Sequence, residues 1–467
     1  MKLGLIFDHG WSKISANIDH ERQIVKRFID LHLIQWKDSK IRKPILLRGA
    51  RQVGKTFAVR KLGETFKNFV EINFEKLPEL KTVFDHDLVP ERIIRDLIAI
   101  LKKDITENET LLFFDEVQEA PKAIIALRYF YEEMPKLHVI AAGSLLDFAI
   151  QQVGVPVGRV SFLYMYPLSW LEFLKAQGND LLIEHLLKNK AEKPLGSPIH
   201  EHTLNLLSEY LAVGGMPEAV STWINNKNAL ECSKIHHTII DTYRQDFNKY
   251  AKAHQIKYLE LLFEHGVKQV GRKFKFSAIP GEYRKRDLLP ALELLSTAGI
   301  LKQIYHSSGH GIPLGAEVDL DKFKILFLDV GLTQTMLGFD FADWFIHSKQ
   351  SFVNKGAILE AFVGQELMVY SDPNSKTSLY YWHKEEKGSQ AEVDYLIQNH
   401  GQILPIEVKS NKGSRLTSLR LFLDSHSNSK YGIRFSTHDY SIFDSIHSYP
   451  LYAVFTALGL DNTTLIS

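Results

Sequence analysis

Gly49-Ala50-Arg51-Gln52-Val53-Gly54-Lys55-Thr56 matches GxxxxGK[ST] without exception. These are the residue types that cradling a phosphate chain requires. Glycines let the backbone curl so that its N–H groups face phosphate oxygens, and a following helix N-terminus adds partial positive charge. Lys55 would reach the β- and γ-phosphates and the Thr56 hydroxyl would ligate Mg²⁺. A second set stands at Leu111-Leu112-Phe113-Phe114-Asp115-Glu116, an apolar run closed by two carboxylates. A buried strand would deliver both to one sheet edge, Asp115 to hold Mg²⁺ and Glu116 to polarise an attacking water. A third run, His138 to Ala142, ends in Gly143-Ser144. Ser144 either meets the γ-phosphate and orients the water or, with Asp147 three residues on, caps a helix. Arg159 either reaches the γ-phosphate, from its own chain or from a neighbour in a homo-oligomer, or is a surface arginine. ATP and Mg²⁺ are the cofactors implied.

A second constellation lies near the other end. Glu392 to Ile397 and Ile403 to Lys409 read as a hairpin turning near Gly401, with Asp394 thirteen residues before Glu407 and Lys409 two beyond it. Glu407 and Lys409 share a face in an extended strand. Asp, Glu and Lys at one sheet edge are the makings of a Mg²⁺-dependent phosphodiesterase site, the D…ExK arrangement of PD-(D/E)xK nucleases. Glu360, on the preceding helix, would be a further acidic member. The plain alternative is an ion pair on a solvated strand, in a nuclease-like fold kept as a binding module. Tyr380-Tyr381-Trp382 reads as core rather than as a platform for bases.

Between Lys268 and Pro290 seven basic residues (Lys268, Arg272, Lys273, Lys275, Arg284, Lys285, Arg286) face only Glu282 and Asp287. That is a candidate surface for nucleic-acid phosphates, or else a solvated or packed charged face.

Positioning these residues requires strands that alternate with helices: strands at 44–47, 69–74, 111–114 and 138–142, with helices at 55–62, 90–102 and 124–131. This is the pattern of a parallel sheet wound on both sides. A lead-in helix spans Glu21 to Trp36. Helical spacing then dominates, over 169–174, 181–188 and 202–211, with a loop at 193–198. A periodic helix, 286–298, precedes strands starting at 299 and 324 around a glycine- and histidine-rich turn, an order that describes a winged helix. Beyond it come a helix at 356–370 and strands at 378–382, 392–398 and 403–409. The domain reading is 1–165, P-loop core; 166–254, helical region; 255–345, winged-helix-like; and 346–467, nuclease-like α/β.

The 467 residues suit about three domains. Lys plus Arg is 56 against 55 for Asp plus Glu, which excludes an overall basic protein but not a local basic face. One cysteine, Cys232, rules out an internal disulfide and a cysteine zinc site, and implies a reducing, cytoplasmic setting. No apolar run is long enough for a membrane span.

Together with Tyr166-Pro167-Leu168-Ser169-Trp170-Leu171-Glu172-Phe173, Gly214-Gly215-Met216-Pro217, Phe327-Leu328-Asp329-Val330-Gly331-Leu332 and Gly356-Ala357-Ile358-Leu359-Glu360, these motifs resemble the prokaryotic AAA-type ATPases with a C-terminal DUF4143 domain. The resemblance covers about residues 20 to 460. It implies an AAA-type domain joined to a restriction-endonuclease-like fold, and ATP binding. The first functional expectation is an ATPase that moves or remodels DNA. The alternatives are an ATP-governed switch on a protein partner, with a non-cleaving C-terminal module, and an ATP-coupled nuclease.

Overall fold

The computed structural model describes residues 26–154, 156–189, 193–386, 389–399, 401–410 and 416–460. Five strands, β1 (Ile45–Arg48), β2 (Asn68–Asn73), β3 (Thr110–Asp115), β4 (His138–Ala142) and β5 (Ser161–Tyr164), form one sheet in the order β2-β3-β4-β1-β5. Every pairing in it is parallel. The continuous apolar runs of β3 and β4 are buried along their whole length, as a sheet covered on both faces demands. β3, β4 and β1 are neighbours and parallel, so their C-terminal ends emerge side by side. The lead-in helix occupies Phe28–Asp38; residues Glu21 to Val25 of its expected span lie outside the described residues.

The two faces of this sheet bury different cores. Leu46, Leu112, Phe114 and Val139 pack under the helices Pro90–Leu101 and Pro121–Glu133. Ile45, Leu47, Phe113 and Ile140 join a core that runs on without a break through the helices 170–266 and into the second sheet. Buried polar contacts stitch that junction. Glu366 accepts from the backbone N–H of Trp170 at 3.0 and 3.1 Å and from the Tyr210 hydroxyl at 3.2 Å. Asp329 accepts from Gly215 N–H at 2.6 Å and Leu332 N–H at 3.0 Å. The motifs around 166–173, 214–217, 327–332 and 356–366 thus meet one another, and buried carboxylates that accept several donors hold them.

The second sheet is mixed: β6 (Leu301–Ser307), β7 (Val318–Phe327), β8 (Tyr380–Glu386), β9 (Ser389–Asn399), β10 (Gln402–Val408), β11 (Gly432–Ser436), β12 (Ser441–Phe443) and β13 (Ile446–Pro450), in the order β12-β13-β11-β10-β9-β8-β6-β7. The helix Lys285–Thr297 and the β6–β7 hairpin follow one another as the sequence suggests. The hairpin, however, is no free wing. β6 pairs in parallel with β8, Tyr305 opposite Tyr380 and His306 opposite Tyr381, so one sheet crosses the expected boundary at 345. The pairing satisfies two edges that would otherwise be open. Tyr381 and Trp382 are buried in the core. Among the described residues no helix is long and apolar enough to cross a membrane.

Candidate functional site

The strand β1 ends at Arg48, and the loop of residues 49–54 leads into the helix Lys55–Gly63. Gly49 takes φ +152 beneath the carbonyl of Met165, where a Cβ would collide, and Gly54 takes φ +101 at the helix start. The loop is therefore fixed by backbone that a side chain would displace. Lys55 is buried at 7% exposure, and its ammonium donates to the carbonyls of Gly49 and Ala50, both at 2.8 Å. Burial pulls its pKa down to about 8, against the nearby Glu116 and Asp115.

Thr56 Oγ1 lies 3.2 and 3.3 Å from the two carboxylate oxygens of Asp115, and Asn73 Nδ2 donates to Asp115 at 3.0 Å. Burial, with Glu116 beside it, raises the Asp115 carboxyl above its ordinary value. A hydroxyl and a carboxylate converging beside the lysine are the hard oxygen donors that suit Mg²⁺. Glu116 follows in the left-handed region, φ +49. One of its oxygens accepts from Ser144 N–H at 3.3 Å, Ser144 Oγ at 3.2 Å and Gln118 Nε2 at 2.7 Å. The structure thus brings Lys55, Thr56, Asp115, Glu116 and Ser144 to one edge of the sheet. Ser144 stands one residue before Leu145, the N-cap of the helix Leu146–Val153, and Asp147 turns to Arg48 at 3.1 Å. Arg159 is elsewhere, in an exposed pair with Glu132 at 3.0 Å.

Three supports escape a reading of the sequence: Arg27, Asp246 and Tyr243. Arg27, 8% exposed, joins Val53 carbonyl, Tyr166 carbonyl and Glu172 at 3.1, 2.7 and 3.0 Å, tying the loop to the next segment. Asp246 holds Arg51 at 3.0 and 3.1 Å, and the Tyr243 hydroxyl donates to Arg51 carbonyl at 2.8 Å. Of the remaining loop residues, Gln52 takes φ +65 and Val53 is fully buried. No local pattern marks Arg27, because it gains these partners only from the fold, at separations of 26, 139 and 145 residues.

The C-terminal set is arranged differently. Lys324, on β7 and 1% exposed, points its ammonium into the acidic cluster, 2.9 Å from Glu360, 2.5 Å from Glu392 and 3.5 Å from Asp394. Burial opposes its charge, but the three carboxylates outweigh burial and hold its pKa well above the ordinary value. Burial, with Asp394 and Glu392 adding, pushes Glu360 up to about 7 against the pull of Lys324. Asp394 also accepts from Val408 N–H at 2.8 Å. Glu407 pairs instead with Lys409 at 2.5 Å, and its other carboxylate oxygen is buried without a hydrogen bond. So Glu360 and Asp394 meet at Lys324, while Glu407, level with Asp394 and with its carboxyl pushed up by burial and by that charge, takes Lys409 as its partner. An ammonium fills the centre of the acidic cluster. Among the described residues no group of three or more His, Cys, Asp or Glu side chains is placed to hold a metal ion. The donor set does not fit a resident divalent cation.

Of the basic segment, Lys273 pairs with Glu385 and Lys285 with Asp321, drawing two of its charges onto β8 and the β7 end of the hairpin. Arg272, Lys275, Arg284 and Arg286 are exposed, with Arg286 3.9 Å from Asp287.

Comparison with known proteins gives three domain matches: an AAA domain over residues 41–174, a domain of unknown function (DUF8612) over 204–343, and a domain of unknown function (DUF4143) over 355–454. No curated protein matches the chain. Among solved structures it is similar to a Walker-type ATPase of Pyrococcus abyssi, at 14% identity and TM-score 0.43, over 68% of this chain and 97% of that one. It is also similar to the Aeropyrum pernix ORC1 protein in complex with DNA, at 12% identity and TM-score 0.29, over 68% and 92%. The chain thus carries an AAA domain at the phosphate-loop end and a DUF4143 domain at the other.

Proposed function

We propose that the chain binds ATP with Mg²⁺ on the 49–56 loop and hydrolyses it, and that DNA is the partner on which it acts. The observation that carries the first part is the convergence of Lys55, Thr56, Asp115 and the Ser144-held Glu116 on one sheet edge. Lys55 exchanges two backbone carbonyls for phosphate oxygens. Thr56 and Asp115 hold the cation, which when bound neutralises charge on the phosphate oxygens. Glu116, its carboxylate oriented by Ser144 and Gln118, aligns the attacking water and takes up its proton. Arg159 has no part in this reading from its own chain, because its guanidinium is engaged by Glu132.

DNA is favoured by the cations Arg272, Lys275, Arg284 and Arg286, all of them exposed. The C-terminal domain serves as a non-cleaving binding module, since Lys324 takes up Glu360, Glu392 and Asp394 and Lys409 takes up Glu407. The test is phosphate release from ATP with Mg²⁺, alone and with single-stranded, duplex and branched DNA. Turnover stimulated by at least one DNA supports the reading. Turnover indifferent to all of them favours the alternative of a switch on a protein partner, and absent turnover removes the hydrolytic role.

A further inference from the structure

A cavity of about 90 Å³ lies between the phosphate loop and the second sheet. One wall is the start of the loop, Gly49 and Ala50, with Ser144 of the water-orienting pair; the other carries Lys302 of β6 and, from the segment before β8, Lys376. The two walls are held close. Gly299, three residues before Lys302, takes φ +74 and sits against Ala50, so the turn into β6 is moulded onto the loop.

The charges in this cavity are unequal in status. Arg48 is already neutralised by Asp147 at 3.1 Å and lies over the Phe162 ring at 4.1 Å. Lys302 has no such partner: among the described residues its ammonium makes no hydrogen bond or ion pair, and the charged group acting on it is Lys376, which repels it. Burial draws its pKa down to about 8. A partly buried cation without a counter-ion is costly, and an arriving anion relieves that cost. Ser144, on the opposite wall, donates to Glu116, so the cavity adjoins the place where the terminal phosphate bond would be broken.

We propose that this cavity is a phosphoryl-anion site with Lys302 as its cation, filled by the terminal phosphate of a bound nucleoside triphosphate or by the orthophosphate released from it. Lys302 is the second residue of β6, and β6 pairs with both β7 and β8, so the site is built on a strand of the C-terminal sheet. The proposal rests on the nucleotide reading above.

The experiment compares binding of fluorescent ADP with that of a fluorescent non-hydrolysable ATP analogue, and inhibition of turnover by inorganic phosphate, in the wild type, Lys302→Met, Lys302→Arg and Lys55→Ala. If the terminal phosphate is the ligand, Lys302→Met weakens the triphosphate analogue by about tenfold relative to ADP, the weight of one charge-assisted hydrogen bond, and Lys302→Arg retains most of the difference. If orthophosphate is the ligand, Lys302→Met instead loses phosphate inhibition while the triphosphate-to-ADP ratio stays. A variant in which both readouts match the wild type overturns the proposal. Should Lys302→Met fail to fold, the wild type alone decides: no preference for the triphosphate and no inhibition by phosphate also overturns it. Lys55→Ala separates the two levels. If it binds nucleotide normally, the loop reading falls and takes this proposal with it; if it loses nucleotide while Lys302→Met changes nothing, the proposal falls alone.

Discussion

Two buried lysines, Lys55 and Lys324, show how one residue type is put to opposite uses. Lys55 rests on two backbone carbonyls, with the carboxylates of Asp115 and Glu116 at one remove, and burial pulls its pKa down to about 8. Lys324 is ringed by Glu360, Glu392 and Asp394 and is held protonated well above its ordinary value. The first cation is only weakly compensated and can turn to an incoming anion. The second is already spent, because every charge it would offer a ligand is answered from within the fold. Burial alone therefore does not mark a functional lysine; the deciding quantity is how much of its charge the protein has already neutralised.

The sharpest way to break this contrast is Lys324→Met. Removing the cation leaves three carboxylates crowded with no counter-charge, and the expected loss of stability is about 3–5 kcal/mol by urea unfolding. In that variant Mn²⁺ should recover part of the loss, because a hard cation then reaches the same oxygens. A variant as stable as the wild type would show that these carboxylates need no internal cation. Next in size is Glu116→Gln, expected to lower ATP turnover by about 10²–10⁴-fold while nucleotide stays bound, since only the water-activating carboxylate is lost. Normal turnover in a phosphate-release assay would remove Glu116 from that role.

Lys55→Ala should weaken nucleotide binding by about 1.5–3 kcal/mol, read by titration with a fluorescent nucleotide. The matching replacement at Lys324 should not alter nucleotide affinity in whatever fraction remains folded, which sharpens the contrast between the two lysines. The smallest expected effect comes from reversing Arg284 and Arg286. If these exposed cations touch DNA phosphates, the slope of log affinity against log salt should fall by about one for each phosphate deprived of its cation. An unchanged slope would move DNA binding to another surface.

What the sequence discloses about each lysine follows from where its partners lie. Lys55, Thr56, Asp115, Glu116 and Ser144 belong to short motifs at strand ends, and strand ends of a parallel sheet meet by topology. Burial of whole runs, such as His138–Ala142, also makes those strands plain. Lys324 carries no such signal. Its partners lie 36 to 70 residues away, and its strand reads merely as one arm of a hairpin. The regular β9–β10 register does bring Glu407 level with Asp394, as alternation predicts; what alternation cannot disclose is that Lys324, from a third strand, takes Asp394 as a partner. β11, β12 and β13 lack long apolar patterns and leave little to read; β12 is three exposed residues.

The β6–β7 hairpin has a consequence for what counts as a separable unit. The DUF4143 match begins at residue 355, after both strands. A fragment cut there would carry Glu360, Glu392 and Asp394 without the ammonium that reconciles them, and would expose the backbone edge of β8 that β6 covers in the full chain. Such a fragment should aggregate or unfold, whereas one that retains the hairpin keeps both the charge and the edge. The piece that can be transplanted or exchanged between proteins is thus longer than the piece that bears the domain's name, and its missing part is held in the sequence of its neighbour.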